Sequence, residues 1–174
     1  LVDQAETPMH DVRLFMARNH SDLKVWTIVG SITNKSHMEE IFSAHKPEFV
    51  FHAAAYKHVP MMEDNPAMAI QNNVFGTRVI ADLAVKYGTK KFVMISTDKA
   101  VNRTNVMGCS KRICEIYCQS FSKAIQDGEV KGVTQFVTTR FGNVLGSNGS
   151  VIPIIKEQIR KGGPITVTHK DIIR

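Results

Sequence analysis

A hydroxyl, a carboxyl and two amines lie close together in this chain: Thr97, Asp98, Lys99 and, four residues after Met107, Lys111. The triplet follows a short apolar run, Phe92-Val93-Met94-Ile95, of strand composition. Met107 and Lys111 stand at a spacing that puts both on one face of a helix. Such groups suit proton transfer, with a carboxylic acid donating, an amine of depressed pKa accepting and a hydroxyl directing. The carboxyl end of a strand in an open α/β sheet is where ligands bind. Taken alone, the triplet is also compatible with a polar strand end beside a helix cap.

The elements that must position these groups follow from the apolar pattern. Leu1-Val2-Asp3 reads as the end of a buried strand closing on an acid. Thr7 is expected to cap a helix with Pro8 at its first position, and Met9, Val12, Leu14, Phe15 and Met16 give it an apolar face to about Arg18. A strand is expected over Val25 to Val29, then a helix opened by a Ser36/Glu39 capping box, then a strand from Phe49 into His52-Ala53-Ala54-Ala55. The three alanines let a flat ligand approach the backbone, and tight helix packing would demand them equally. Asn65-Pro66 opens a long helix to about Tyr87, and Gly88 ends it. After the central strand, a helix over Asn105 to Ile125 carries Ile113, Ile116, Tyr117 and Phe121 on one face. A strand over Gln135 to Thr139, a loop over Gly146 to Gly149, a helix over Val151 to Arg160 and a short strand over Ile165 to Thr168 complete the chain. Strands alternating with longer helices predict the α/β class, a doubly wound parallel sheet.

The 174 residues, 43% of them hydrophobic, suffice for one core-bearing domain. The formal charge of +6 suits an anionic partner. The bases are scattered, so nucleic acid is not expected as that partner. No apolar run reaches the roughly 18–20 residues that cross a bilayer, so no membrane contact by this stretch is expected. Cys109, Cys114 and Cys118 fall in one helix without metal spacing, which points to reduced thiols and a cytoplasmic location. No Cys/His cluster or His pair at ligand spacing occurs, and no metal is expected.

Several segments together are more specific than any one. His52-Ala-Ala-Ala-Tyr-Lys-His-Val-Pro60, Asn72-Asn-Val-Phe-Gly-Thr77, Ser96-Thr-Asp-Lys-Ala100, Arg140-Phe-Gly-Asn-Val-Leu-Gly-Ser147 and Gly149-Ser-Val-Ile-Pro153 occur in that order. In them the chain resembles the extended short-chain dehydrogenases/reductases, and among these the nucleotide-sugar 4,6-dehydratases of capsule-type polysaccharide synthesis. The resemblance implies a Rossmann-like fold binding NAD, with NADP as an alternative, and a UDP-sugar substrate of the UDP-N-acetylglucosamine type. It implies that hydride leaves C4, water is lost across C5 and C6, and hydride returns to C6. By that resemblance Asp98 is the acid for the C6 hydroxyl, Lys99 the base for the C5 proton, Thr97 the hydrogen-bonding partner of O4, and Lys111 the ribose-binding lysine. Asp3, Ala53, Ala54, Ala55, Asn73 and Ser96 take cofactor positions, and Lys57 touches cofactor and substrate, with His58 beside it. Asn143 and Ser147 take substrate positions, and Lys156 is a diphosphate candidate.

Three positions depart from the pattern. Met107 replaces the usual tyrosine and cannot carry the O4 proton; the large members of the branch share this replacement. Arg103 replaces a proline, and Ser31 an aspartate beside the adenine. The chain has no Gly-x-Gly-x-x-Gly loop to cradle a pyrophosphate. The expectation is therefore a single partial domain, 1–174, truncated at both ends, lacking the first glycine-rich βαβ segment and most of a substrate domain. By itself it is expected to bind NAD weakly and not to turn over. The resemblance further implies a full-length protein anchored in the membrane with this part facing the cytoplasm, and it leaves the oligomeric state open between a monomer and a homo-oligomer. An epimerase on the same scaffold, or an inactive NAD-fold binding module, are the alternative readings.

Overall fold

Strands form where the short apolar runs lie, in two separate parallel groups. β1 (Val2–Asp3) pairs with β2 (Ile28–Val29), Val2 opposite Ile28. β3 (Phe49–His52), β4 (Lys91–Thr97) and β5 (Gln135–Phe141) make a second sheet in that order, with β3 parallel to β4 and His52 opposite Met94. The computed structural model describes residues 1–147 and 150–167, and the chain forms two compact units divided after Arg140. Helices link the strands: α1 (Glu6–Asn19), α2 (Lys35–His45), α3 (Val59–Asp64), α4 (Pro66–Ala69), α5 (Gly76–Lys86) and α6 (Val106–Gln126), with α7 (Val151–Arg160) in the second unit. Parallel strands joined through helices are the α/β, Rossmann-like class expected from the sequence.

β4 is the centre of the core. Its residues alternate between full and partial burial, and Phe92 and Met94 have no exposed surface. Met38 and Phe42 of α2, Ile80, Leu83 and Ala84 of α5, and Cys114 and Cys118 of α6 pack around them. Each fully buried side chain of that size contributes about 1.5–3 kcal/mol. No helix among the described residues is long and apolar enough to cross a membrane.

Several expectations need correction. The single sheet is two, because no described strand pairs with the outer edges of β1 and β3. Those edges border a cavity of about 710 Å³ lined by Leu1, Val2, Phe49 and Phe51, and the two phenylalanines are 55% and 73% exposed. The strand over Val25 to Val29 shortens to its last two residues. Thr7 lies inside α1, whose N-cap is Ala5, and of its apolar residues only Met9 is buried. Ser36 does not cap α2; Asn34 does, its Oδ1 accepting from His37 N at 3.2 Å, and the Ser36 hydroxyl donates to the same oxygen. The long helix from Pro66 is interrupted by a π-helical turn, Ile70–Phe75, and α3 precedes it unforeseen. On α6, Ile113 and Ile116 are exposed, and the buried stripe runs through Met107, Ser110, Lys111, Cys114, Glu115 and Cys118. Residues 165–167 form no strand; Thr168, like Gly149 of the expected loop, lies outside the described residues.

Candidate active site

At the end of β4 the alternation sends Ser96 inward and leaves Thr97 half-buried. Thr97 caps a single 3-10 turn, Asp98–Ala100, its Oγ1 accepting from Lys99 N at 3.3 Å. The same hydroxyl donates to Asp98 Oδ1 at 2.9 Å, and Lys99 Nζ donates to that oxygen at 3.1 Å. The three side chains are thus one hydrogen-bonded group. Partial desolvation works against the charge on Asp98. The hydrogen bonds from Lys99 and Thr97 outweigh it and hold the carboxyl below its ordinary range.

α6 is brought against this turn by a close approach that only glycine allows. Asn105 caps the helix by accepting from Gly108 N at 2.8 Å, and a Cβ on Gly108 would collide with the carbonyl oxygen of Lys99. Backbone cannot yield as a side-chain tip can. Gly108→Ala is therefore expected to displace the turn, costing about 1–3 kcal/mol and most of the activity. Activity lost no further than thermal stability accounts for would show that the turn tolerates the shift.

Two residues on the inner face of α6 have different fates. Met107 packs with Met62 and Ala69 beside Tyr56 and Val59, a filler of apolar space. Lys111 is 5% exposed and has no hydrogen-bond partner among the described residues. Burial lowers its pKa; Cys114, Cys118 and Glu115 on its own helix oppose that. His52, at the end of β3, is pushed down to about 3 by burial and then by the Lys111 charge, so it is neutral. Its Nε2 lies 2.8 Å from Thr77 Oγ1, whose own proton goes to the Asn73 carbonyl at 2.6 Å. His52 therefore donates from Nε2.

Asn73 sits in the π-helical turn with no exposed surface. Its side-chain oxygen accepts from Tyr56 N at 2.7 Å and from Asn72 Nδ2 at 3.2 Å, and its nitrogen donates to Tyr56 O at 3.1 Å and Ser110 Oγ at 3.0 Å. All of its capacity is used within the protein, so it ties the loop after β3 to α6. The Ser96 hydroxyl likewise turns inward, donating to Glu115 Oε1 at 2.6 Å. A π-turn of this kind is a common mark of a functional site.

The same cavity that separates the sheets is walled by Asp3, Gly30, Ser31 and Ala53 to Ala55. Asp3 accepts from Ala5 N at 2.8 Å and is otherwise open. Small residues and an acid at a strand end fit the adenosine and ribose parts of a dinucleotide, and Lys111 is not among the residues that wall this cavity. No pyrophosphate-cradling glycine loop is present in the sequence. Lys57 and His58 are exposed on the loop after β3. Asn143 (exposed), Ser147 (half-buried) and Lys156 (exposed, on α7) belong to the second unit, where Ser147 O accepts from Ser150 N at 3.0 Å. Among the described residues no group of His, Cys, Asp and Glu is arranged to hold a metal.

Sequence reasoning passed over Glu115 and His52. Glu115 is four residues beyond Lys111, a spacing that shares a helix face and signals charge pairing. His52 stood in a quoted motif, but nothing in its spacing announced a buried neutral ring.

The chain is 45% identical to the capsular polysaccharide biosynthesis protein CapD of Staphylococcus aureus, over 100% of its own length and 28% of that protein's. It is 37% identical to the UDP-glucose 4-epimerase of Rickettsia typhi, over 97% of itself and 47% of that enzyme. It shares its fold with DesIV, a dTDP-glucose 4,6-dehydratase of Streptomyces venezuelae solved with NAD and TYD, at a TM-score of 0.75 and 18% identity, covering 88% of this chain and 50% of that one. The chain thus spans half or less of the length of each. Residues 1–174 match the model of a family described as polysaccharide biosynthesis protein, and the chain belongs to that family.

Proposed function

We propose that this chain is the catalytic core of a nucleotide-sugar 4,6-dehydratase serving polysaccharide synthesis, with UDP-N-acetylglucosamine as substrate and NAD, or NADP, as cofactor. The observation that carries this reading is the Asp98–Lys99 pair, 3.1 Å apart at the carboxyl end of β4, in a turn that packs against the helix carrying buried Lys111. Loss of water across C5 and C6 needs both an acid and a base, and the turn supplies both. Bound NAD would supply the hydride acceptor for C4 and the hydride donor for C6, with Asp3, Ala53 to Ala55 and Lys111 as residues that would hold it.

The protein's own steps follow from the hydrogen bonds. Asp98 rests as a carboxylate, so the proton it gives to the C6 hydroxyl must first be acquired. Met107 cannot supply it. Thr97, hydrogen-bonded to Asp98, passes the O4 proton to the carboxylate, and Asp98 then releases it to the departing C6 hydroxyl as water. Lys99, its ammonium proton first given up to solvent, takes the C5 proton as the amine and later restores it. Lys111 steadies the cofactor ribose, and the balance for the sugar is the loss of one water.

Because Met107 only fills space, Met107→Leu in the enzyme with its flanks should lower kcat tenfold or less, about 1.4 kcal/mol. A loss of several thousandfold with the fold intact would give this residue a larger part. The epimerase reading has a 37% identical relative in its favour. A 4-epimerase needs no C6 acid, so the two separate on product. The flank-restored protein incubated with NAD and UDP-N-acetylglucosamine should yield a 4-keto-6-deoxy sugar, and a C4 epimer in its place would overturn the dehydratase.

A further inference from the structure

Glu115 has no exposed surface, yet it holds four hydrogen bonds from three elements. Its Oε1 accepts from Ser96 at the end of β4, at 2.6 Å, and from Arg140 Nε, at 2.8 Å; its Oε2 accepts from Arg140 at 2.6 Å and from Arg112 at 2.9 Å. Ser96 immediately precedes Thr97, and Arg140 is the last residue of the first unit. Lys111 is one helical turn before Glu115 on the buried stripe of α6.

The charged and titratable groups acting on Lys111 are few. His52 of β3 is neutral. Cys114 and Cys118 are thiols whose ionisation burial opposes. Glu115 is therefore the ionised group on which the desolvated ammonium relies. We propose that Glu115 is a positioning residue for this site, its buried carboxylate serving both as counter-charge to Lys111 and as the anchor that binds the end of β4 to β5. Its role in turnover rests on the dehydratase reading; its effect on Lys111 does not.

The inference makes two substitutions act in opposite directions. Glu115→Gln keeps the shape and removes the negative charge, leaving the Arg112 and Arg140 guanidinium groups without their carboxylate partner. Arg140→Met removes a positive charge and frees more of the carboxylate's field. Competitive acylation of lysines with acetic anhydride across a pH series, read by mass spectrometry on the ligand-free full-length protein, gives the titration midpoint of Lys111. Glu115→Gln should lower that midpoint by about one pH unit, a tenfold weaker hold on the proton, and Arg140→Met should raise it. The alkaline limb of kcat/KM should move with each. Midpoints unmoved in both variants, or moved the same way, would overturn the proposal, since loosened packing alone has no reason to give opposite signs. If Glu115→Gln does not fold, Arg140→Met decides alone: a midpoint that fails to rise counts against it. Wild-type protein inert towards sugar nucleotides, with the opposed midpoint shifts intact, would retire the dehydratase reading and leave the counter-charge standing.

Discussion

Lys99→Ala in the enzyme with its flanks is expected to still form NADH from the sugar in a single turnover while exchange of the C5 hydrogen with deuterated solvent stops. Oxidation at C4 needs the O4 proton to leave through Thr97 and Asp98, and both remain. Removal of the C5 proton needs the amine, and that is gone. Asp98→Asn should look different. A carboxamide neither takes the O4 proton nor delivers one to the C6 hydroxyl, so oxidation slows and elimination stalls. Any ketone that does form should exchange at C5 through Lys99. Each loss should be about 10²–10⁴-fold, the range for a positioned proton-transfer group. Normal C5 exchange in Lys99→Ala, or one phenotype shared by both variants, would break the assignment. Exchanged phenotypes would mean that the carboxylate is the base and the ammonium the acid. The ion pair in which the two rest, at 3.1 Å, makes that comparison direct.

What could be read from the sequence was what depends on local pattern. β4, the start of α6 at Asn105 and the stop at Gly88, whose φ is +72°, are all set by a few neighbouring residues. α7 spans the expected Val151 to Arg160 for the same reason. What could not be read depends on partners distant in sequence. The apolar residues of α1 and the outward Ile113 and Ile116 of α6 look like core by composition, and only packing decides which side of a helix is covered. The π-helical turn leaves no compositional mark, yet it is what lets Asn73 reach Tyr56 and Ser110 together. In the candidate site, the triplet and Lys111 were legible because chemistry needs those residue types in one place. Glu115 and Arg140 were not, since a buried ion pair looks in sequence like two ordinary surface charges 25 residues apart.

Acid should unfold this protein in two stages that can be separated. His52 is held near 3 in the fold against an ordinary 6.5. Below pH 6.5 the unfolded chain binds a proton there that the folded chain refuses, so stability falls as pH drops from 6.5 towards 3. Glu115 is opposed by burial, but its hydrogen bonds from Arg140, Ser96 and Arg112 bring it down to about 2, against an ordinary 4.5. Its contribution is complete above 4.5 and is lost as pH falls towards 2. Each proton carries about 1.4 kcal/mol per pH unit within its window, and between 4.5 and 3 the two slopes add to roughly 2.7. Denaturant melts at a series of pH values should show this, with single variants assigning the stages. His52→Gln, which keeps a donor for Thr77, should flatten the curve between 6.5 and 4.5. Glu115→Gln should start from lower stability, because two arginines lose their partner, and should flatten the curve below 4.5. If wild type and His52→Gln lose stability in parallel from pH 7 to pH 5, the ring at the end of β3 is not the buried neutral donor that its neighbours require.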